Sequence, residues 1–250
     1  MNILYPSLKG LVLLLCALCL QPLQAQTADD IIRKVDEHIS ADNRIVKSTI
    51  IVHGKRNRRT FTTMNYTVGT QKAFTEYLQP AREKGTKMLK LNKDMWIYSP
   101  STDRTLMISG HMLRQSVMGS DMSYEDLMED RKLHEMYAAE LLGQEKVDEI
   151  LCYKLKLKAK VQDVAYDQCM IWVDVRRLIP LVQEYYAKSG KLLKRLHLMN
   201  YKKIEGKWTP MKSNYKDVMK DGEGTDMLIE SIRYNRSIPA SYFNKGALKK

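Results

Sequence analysis

Two runs of short β-type segments, each cut by turn residues, constrain this chain more than any other feature. The first run holds segments at 45–52, 60–68, 72–78, 86–91, 95–99 and 105–109. In the second of these, Phe61, Thr63, Asn65 and Thr67 alternate with Thr62, Met64, Tyr66 and Val68, a period of two that sends successive side chains to opposite faces. Gly69, Pro80, Gly85, Asn92-Lys93-Asp94 and Pro100-Ser101 separate the segments. After an interruption at 111–143, strands resume over 149–160, 166–175, 180–187, 192–204, 208–219 and 225–235. Gly190, Gly206 and Asp221-Gly222-Glu223-Gly224 supply hairpin turns between them. The pattern predicts about eleven or twelve antiparallel strands. So long a meander must curl or close, because a flat sheet would leave its apolar face in water.

The rest of the chain predicts two or three helices. Ile31, Ile32, Val35 and Ile39 make one apolar stripe over 28–39, with acids in the first turn and Thr27 placed to cap it against Asp30. Ser123-Tyr124-Glu125-Asp126 is a capping box opening a helix that runs to about residue 130. A second helical stretch at 132–142 comes next, or that stretch is partly extended. No composition shift marks a boundary, so residues 26–250 are expected to form a single domain. A length of 250 residues with 44% hydrophobic content supplies a real core.

Residues 1–25 read as a signal peptide. Lys9 gives a positive start, 10–20 is an uncharged leucine-rich run, and Gln21-Pro22-Leu23-Gln24-Ala25 ends in a cleavage-type residue. The run falls short of the ~20 apolar residues a spanning helix needs. Its removal takes Lys9, lowering the formal net charge from +12 to +11, and leaves Cys152 and Cys169 as the cysteines. Cys16 follows Leu15 and Cys19 follows Leu18, so neither has the small preceding residue that bacterial lipidation uses. A soluble protein outside the cytoplasm, without a lipid anchor, is expected.

Chemistry leaves no positive sequence mark. His38, His53, His111, His134 and His197 show no zinc-pair spacing, and neither Cys152 nor Cys169 belongs to a CxxC. There is no GxSxG, phosphate-cradling loop or dinucleotide fingerprint. The expectation is a non-enzyme without metal or cofactor. Cys152 and Cys169 flank a candidate hairpin and are either a disulfide or two buried thiols. Eight of 15 methionines (Met88, Met95, Met107, Met112, Met118, Met122, Met128, Met136) cluster in the middle. They suit core filling, a surface for varied apolar partners, or soft-metal binding helped by His111 and His134; no tight MxxM or HxxM cluster favours the metal. The basic balance points to an acidic partner, and export argues against nucleic acid. Lys55-Arg56-Asn57-Arg58-Arg59 and residues 245–250 are its densest patches.

The interruption carries a resemblance. Residues 114–127 include Met118-Gly119-Ser120-Asp121, a short gap, then Glu125-Asp126-Leu127. This segment resembles one in a divergent branch of the LolA-like carriers, the bacterial outer-membrane lipoprotein-sorting protein family. Met95-Trp96-Ile97-Tyr98, Ile171-Trp172-Val173-Asp174, Ile179-Pro180-Leu181 and Glu184-Tyr185-Tyr186 agree, and the likeness runs from about 29 to 237. It implies a mainly β (α+β) fold: a strongly curved antiparallel sheet forming an incomplete β-barrel of about 11 strands, its open side covered by helices over an apolar cavity. It further implies a periplasmic carrier of lipoprotein acyl chains or related lipids between inner and outer membrane, with an inner-membrane exporter, an outer-membrane acceptor and only peripheral membrane contact. Leu113, Val117, Met118, Met122 and Leu127 would form a lid. Gly119 would allow its sharp turn, and Ser120, Asp121 and Ser123 would cap the segment after it. Met88, Met95, Ile97, Met107 and Trp172 would be wall residues, with plain core packing the alternative for each. The competing expectation is a non-catalytic periplasmic accessory module with a solid core, binding an envelope protein complex.

Overall fold

The computed structural model describes residues 27–55 and 57–250; the expected signal peptide at 1–25 lies outside the described residues. Helix α1 (Ala28–Ile39) starts where the capping pattern places it. The Thr27 side chain accepts from Asp30 N at 3.1 Å, and the Asp30 carboxylate accepts from Thr27 N at 3.3 Å. Its stripe of Ile31, Ile32 and Val35 is fully buried, each residue contributing about 1.5–3 kcal/mol by leaving water.

Thirteen strands make up most of the remaining chain: β1 (Asn43–His53), β2 (Arg58–Val68), β3 (Lys72–Gln79), β4 (Lys87–Leu91), β5 (Asp94–Ser99), β6 (Arg104–Ile108), β7 (Tyr137–Val147), β8 (Ile150–Ala159), β9 (Gln168–Asp174), β10 (Pro180–Tyr186), β11 (Leu192–Ile204), β12 (Lys207–Asp217) and β13 (Gly224–Tyr234). They form one antiparallel sheet in the order β6-β5-β4-β3-β2-β1-β13-β12-β11-β10-β9-β8-β7. The first and last strands pair in its middle, Ile50 opposite Met227. Its two edges, β6 and β7, are consecutive in the chain and do not pair. The sheet is thus open, and residues 109–136 run from one edge to the other. The expected sheet of about 11 strands is corrected to thirteen.

The extra strand is β7. Helix formation in the 132–142 stretch stops at α3 (Leu133–Met136), and Tyr137 is already extended. Ala138-Ala139-Glu140-Leu141-Leu142 has good helix propensity, but β8 offers it a ladder from Tyr137↔Ala159 to Val147↔Ile150. Those backbone bonds outweigh the small propensity differences.

The β8–β9 register also settles the cysteines. Cys152 faces Asp174 and Cys169 faces Leu157. The two thiols are free, buried, and packed in different clusters. Of the two alternatives the buried thiols hold, because the 160–167 connection sets a register that offsets the two positions along the ladder. Burial pushes the Cys152 thiol up to about 11 and the Cys169 thiol further, so both stay protonated and unreactive.

The C-terminal segment straps the outer face of β2–β5. Tyr242, Phe243, Ala247 and Leu248 cover Tyr66, Phe74, Leu89 and Trp96, with the Tyr66 and Tyr242 rings stacked 4.3 Å apart. The basic run at 245–250 decorates this strap: the Lys245 ammonium lies 4.4 Å from the Trp96 ring centre, and Lys249 pairs with Asp103.

Candidate functional site

The concave face of the sheet is covered in two ways. Over β7–β9, α1 covers it: Ile31, Ile32 and Val35 pack in one buried cluster with Leu155, Leu157, Cys169, Ile171 and Val173. Over β1–β4 and β11–β13 the cover is residues 109–136, and beneath them is a cavity of about 500 Å³, within the range of small-molecule sites.

The apolar part of the cavity is built from alternate residues of the strands. Ile50, Phe61, Tyr77, Met88 and Met227 come from the sheet, and Val117, Met118, Met122 and Leu127 from the cover. Strand alternation selects them, since Ile50 and Phe61 face each other across β1–β2. Phe61 and Tyr77 meet edge to face, 5.8 Å between centroids. Polar wall residues pair among themselves: Ser48 with Thr63 at 2.9 Å, Asn65 with Thr75 at 2.7 Å, and Thr209 with the Tyr234 hydroxyl at 2.8 Å. Among the described residues no fully buried side-chain nitrogen or oxygen lacks a partner. The lining also carries charged groups, among them Arg44 paired with Asp130 and Lys194 paired with Asp126. Burial keeps the lining tyrosines neutral: Tyr215 is pushed up to about 12, and Tyr77, Tyr137, Tyr166, Tyr185 and Tyr201 are raised for the same first reason.

The Met-Gly-Ser-Asp motif is the bend of the cover. Met118 and Gly119 both adopt left-handed backbone, φ 50° and 66°. The chain reverses there, with Val117 N donating to Met122 O at 2.8 Å. Glycine is favoured at 119 by that φ, and a Cβ would stand 2.7 Å from the Arg59 guanidinium, which would have to move. The Ser120 hydroxyl accepts from Met122 N at 3.2 Å. Asp121 is buried; its carboxylate accepts from Thr225 Oγ1 at 2.7 Å and from Asp217 N at 3.0 Å, tying the bend to β12 and β13. Ser123 caps α2 (Tyr124–Met128) reciprocally with Asp126.

Ion pairs hold the remainder of the cover. Asp126 accepts from the Tyr166 hydroxyl at 2.5 Å and from the Lys194 ammonium. Asp130 accepts from Lys90 at 2.8 Å and Arg44 at 2.9 Å. Lys90 is only 3% exposed and also donates to the Met128 carbonyl at 2.5 Å. On α1, buried Asp36 caps α3 by accepting from Leu133 N at 2.8 Å and His134 N at 2.9 Å, and it pairs with His134 Nδ1 at 2.7 Å. Helix α1 thus anchors the end of the cover.

Of the expected residues, Met88, Val117, Met118, Ser120, Met122 and Leu127 line the cavity. Ile97 packs against their cluster. Met95 is buried opposite Lys90 and Ile108, away from the lining, and Leu113 is half-buried away from it. Gly119, Asp121 and Ser123 shape the bend from behind. Two expectations are corrected. Met107 is 43% exposed and pairs with Trp96, which faces outward beneath the C-terminal strap. Trp172 lies between Ile171 and Val173, which face α1, so the strand period turns it away; it packs on Cys152, Ile179 and Val182 and donates to Glu145. Ile50 and Phe61 were open to the same alternation argument. Lys90, Asp130 and Asp36 had no local mark, because burial of a charge depends on its distant partner.

The model of a family described as "uncharacterized protein" matches residues 69–250. No curated protein sequence matches. Solved structures do. A DUF1329 family protein from Desulfovibrio piger is 26% identical with a TM-score of 0.79, covering 88% of this chain and 97% of its own. A LolA superfamily protein from Nitrosomonas europaea is 25% identical with a TM-score of 0.75, over 89% and 100%. A domain described as outer membrane lipoprotein-sorting, from Vibrio parahaemolyticus, shares the fold at 24% identity and a TM-score of 0.77, over 89% and 98%. Among the described residues no helix is long and apolar enough to cross a membrane.

Proposed function

This chain belongs to the family matched over residues 69–250 and is a divergent LolA-like protein, and from that premise we propose that it is a periplasmic carrier that holds acyl chains of lipoproteins or related lipids between the two membranes. One observation supports the reading above others: the cavity of about 500 Å³ beneath residues 109–136, with apolar side chains from both sheet and cover and polar lining groups paired at Ser48–Thr63, Asn65–Thr75, Arg44–Asp130 and Lys194–Asp126. Each acyl CH₂ buried there contributes about 0.8 kcal/mol. A single chain of ordinary length therefore binds reversibly, as a carrier requires. The proposed role is binding, and burial, which keeps the lining tyrosines and both thiols neutral, agrees with it. The exporter and acceptor of the related carriers are its proposed partners.

The test is native mass spectrometry with lipid extraction on protein purified from its own envelope without detergent. The expected result is a co-purifying lipid or acylated protein that is lost in Met118→Asp, where the side chain is half-buried and the fold survives. An apo mass that also ignores added fatty acids and lipopeptides sinks the carrier and leaves the accessory module.

A further inference from the structure

Three neighbouring turns form one rim of the sheet around the bend of the cover: the one holding Gly54, Lys55 and Asn57, 187–191 and 218–223. Lys55 reaches Asp221 at 3.1 Å, and Val218 N donates to Leu193 O at 3.0 Å, so the three lie side by side. At the tip, Met219 is 64% exposed, the highest value among the exposed large apolar side chains of the described residues, and Val218 beside it is 37% exposed. A lone exposed apolar residue is ordinary. Here two are adjacent on a turn, and cations surround them. Lys55, Arg58, Arg59, Lys188 and Lys191 are exposed and Lys220 is half-exposed, against Asp221, already paired with Lys55, Glu223, and Asp217, which accepts from Met219 N at 3.0 Å.

Two of these cations also hold the cover. Arg59 donates to the Gly119 carbonyl at 3.3 Å. Lys220 donates to the Ser116 hydroxyl and the Ser120 carbonyl. These acceptors are neutral, whereas hydrogen bonds from Lys or Arg to a phosphate are charge-assisted and stronger. An anionic phosphate at the rim would compete for the same donors.

We infer that this rim docks on an anionic phospholipid surface: Val218 and Met219 enter the headgroup boundary, and Arg59 and Lys220 exchange the oxygens of the cover for lipid phosphates, loosening it at the membrane. The occupant is a bilayer because the apolar tip and its ring of cations match the two layers of an anionic interface, apolar beneath and negative above. The loosening rests on the carrier reading; the docking does not. Each cation near such a surface strengthens partitioning about fivefold, and the effect falls within a Debye length.

Sedimentation of the full protein with vesicles tests this. Binding is expected to phosphatidylethanolamine vesicles containing a quarter phosphatidylglycerol, weakening with salt, and not to pure phosphatidylcholine. Met219→Asp should lower the affinity at least about tenfold, and Lys188→Gln, an exposed rim cation that does not hold the cover, about fivefold; both should leave the melting temperature near that of the wild type. Amide exchange at 117–122 should quicken on the anionic vesicles. No preference for anionic vesicles, or full binding by Met219→Asp, overturns the inference, including the case where the rim takes a protein. Unchanged exchange on bound vesicles overturns the loosening. Because lipid capture in solution is measured without vesicles, failure here and failure of the carrier reading are distinguishable.

Discussion

One concave face carries two kinds of cover, and they differ in how they are held. Over β7–β9, α1 interdigitates with the strands by apolar contact alone over most of its stripe. Over β1–β4 and β13, the cover is an irregular segment whose position depends on discrete polar ties at Asp121, Asp126 and Asp130, with apolar side chains resting on a gap. Apolar packing is non-directional and fills space. Directional bonds can hold a segment in place above space left unfilled. The comparison sets a cover packed by apolar contact beside one held by polar ties over a cavity.

The largest expected effect tests the cover packed by apolar contact. Leu157→Ala, under α1, should cost about 2–5 kcal/mol in urea unfolding, because the fully buried leucine leaves a cavity that cannot collapse. Met122→Ala, beside an existing gap, should cost about 1–2 kcal/mol, since its side chain already lacks neighbours on one side. Equal costs would remove the distinction between the halves. Next is the ion tie: Asp130→Asn strands Lys90, 3% exposed, without its carboxylate, and should cost about 3 kcal/mol. Amide exchange should then quicken at 117–130 and stay slow in α1; quickening in both together would mean the halves open as one unit. Gly119→Ala should cost about 1 kcal/mol through its left-handed backbone, read as a lower melting temperature with the Arg59 side chain displaced.

The smallest effect is on pH. Burial first, and then Lys207, Lys34 or Arg195 nearby, hold His38 and His197 below the usual 6.5 despite opposing acids. The unfolded chain therefore takes up protons near pH 6.5 that the folded protein refuses, so stability present above 6.5 is lost as pH falls through the folded values. Below about 3.8 there is a second loss: burial pushes Asp226 and Asp174 up, but Asn214, Lys212 and His53 for the one, and Arg177 with the Arg176 amide for the other, more than offset it. Melting temperatures from pH 7 to 5 should decline gently, and the double change His38→Asn, His197→Asn should flatten that slope. A flat wild-type profile would place both imidazoles in water.

The amino-acid sequence by itself determined twelve of the thirteen strands, helix α1 with its Thr27–Asp30 cap, the Ser123–Asp126 box and the bend at Met118-Gly119, because periodicity, turn chemistry and capping are local and act through near neighbours. Six of the expected site residues line the cavity, and it was the family resemblance, not local periodicity, that marked the interrupting segment where five of them lie. Only the tertiary structure decided the rest. It made β7 a strand against its propensity, since the edge of β8 was there to pair with; it set the β8–β9 register that parts Cys152 from Cys169; and it turned Met107 and Trp172 outward. It also brought Asp36 to α3, Lys90 to Asp130 and Lys194 to Asp126, pairs separated by tens of residues or more, whose burial is tolerable only because the partner arrives from elsewhere in the chain.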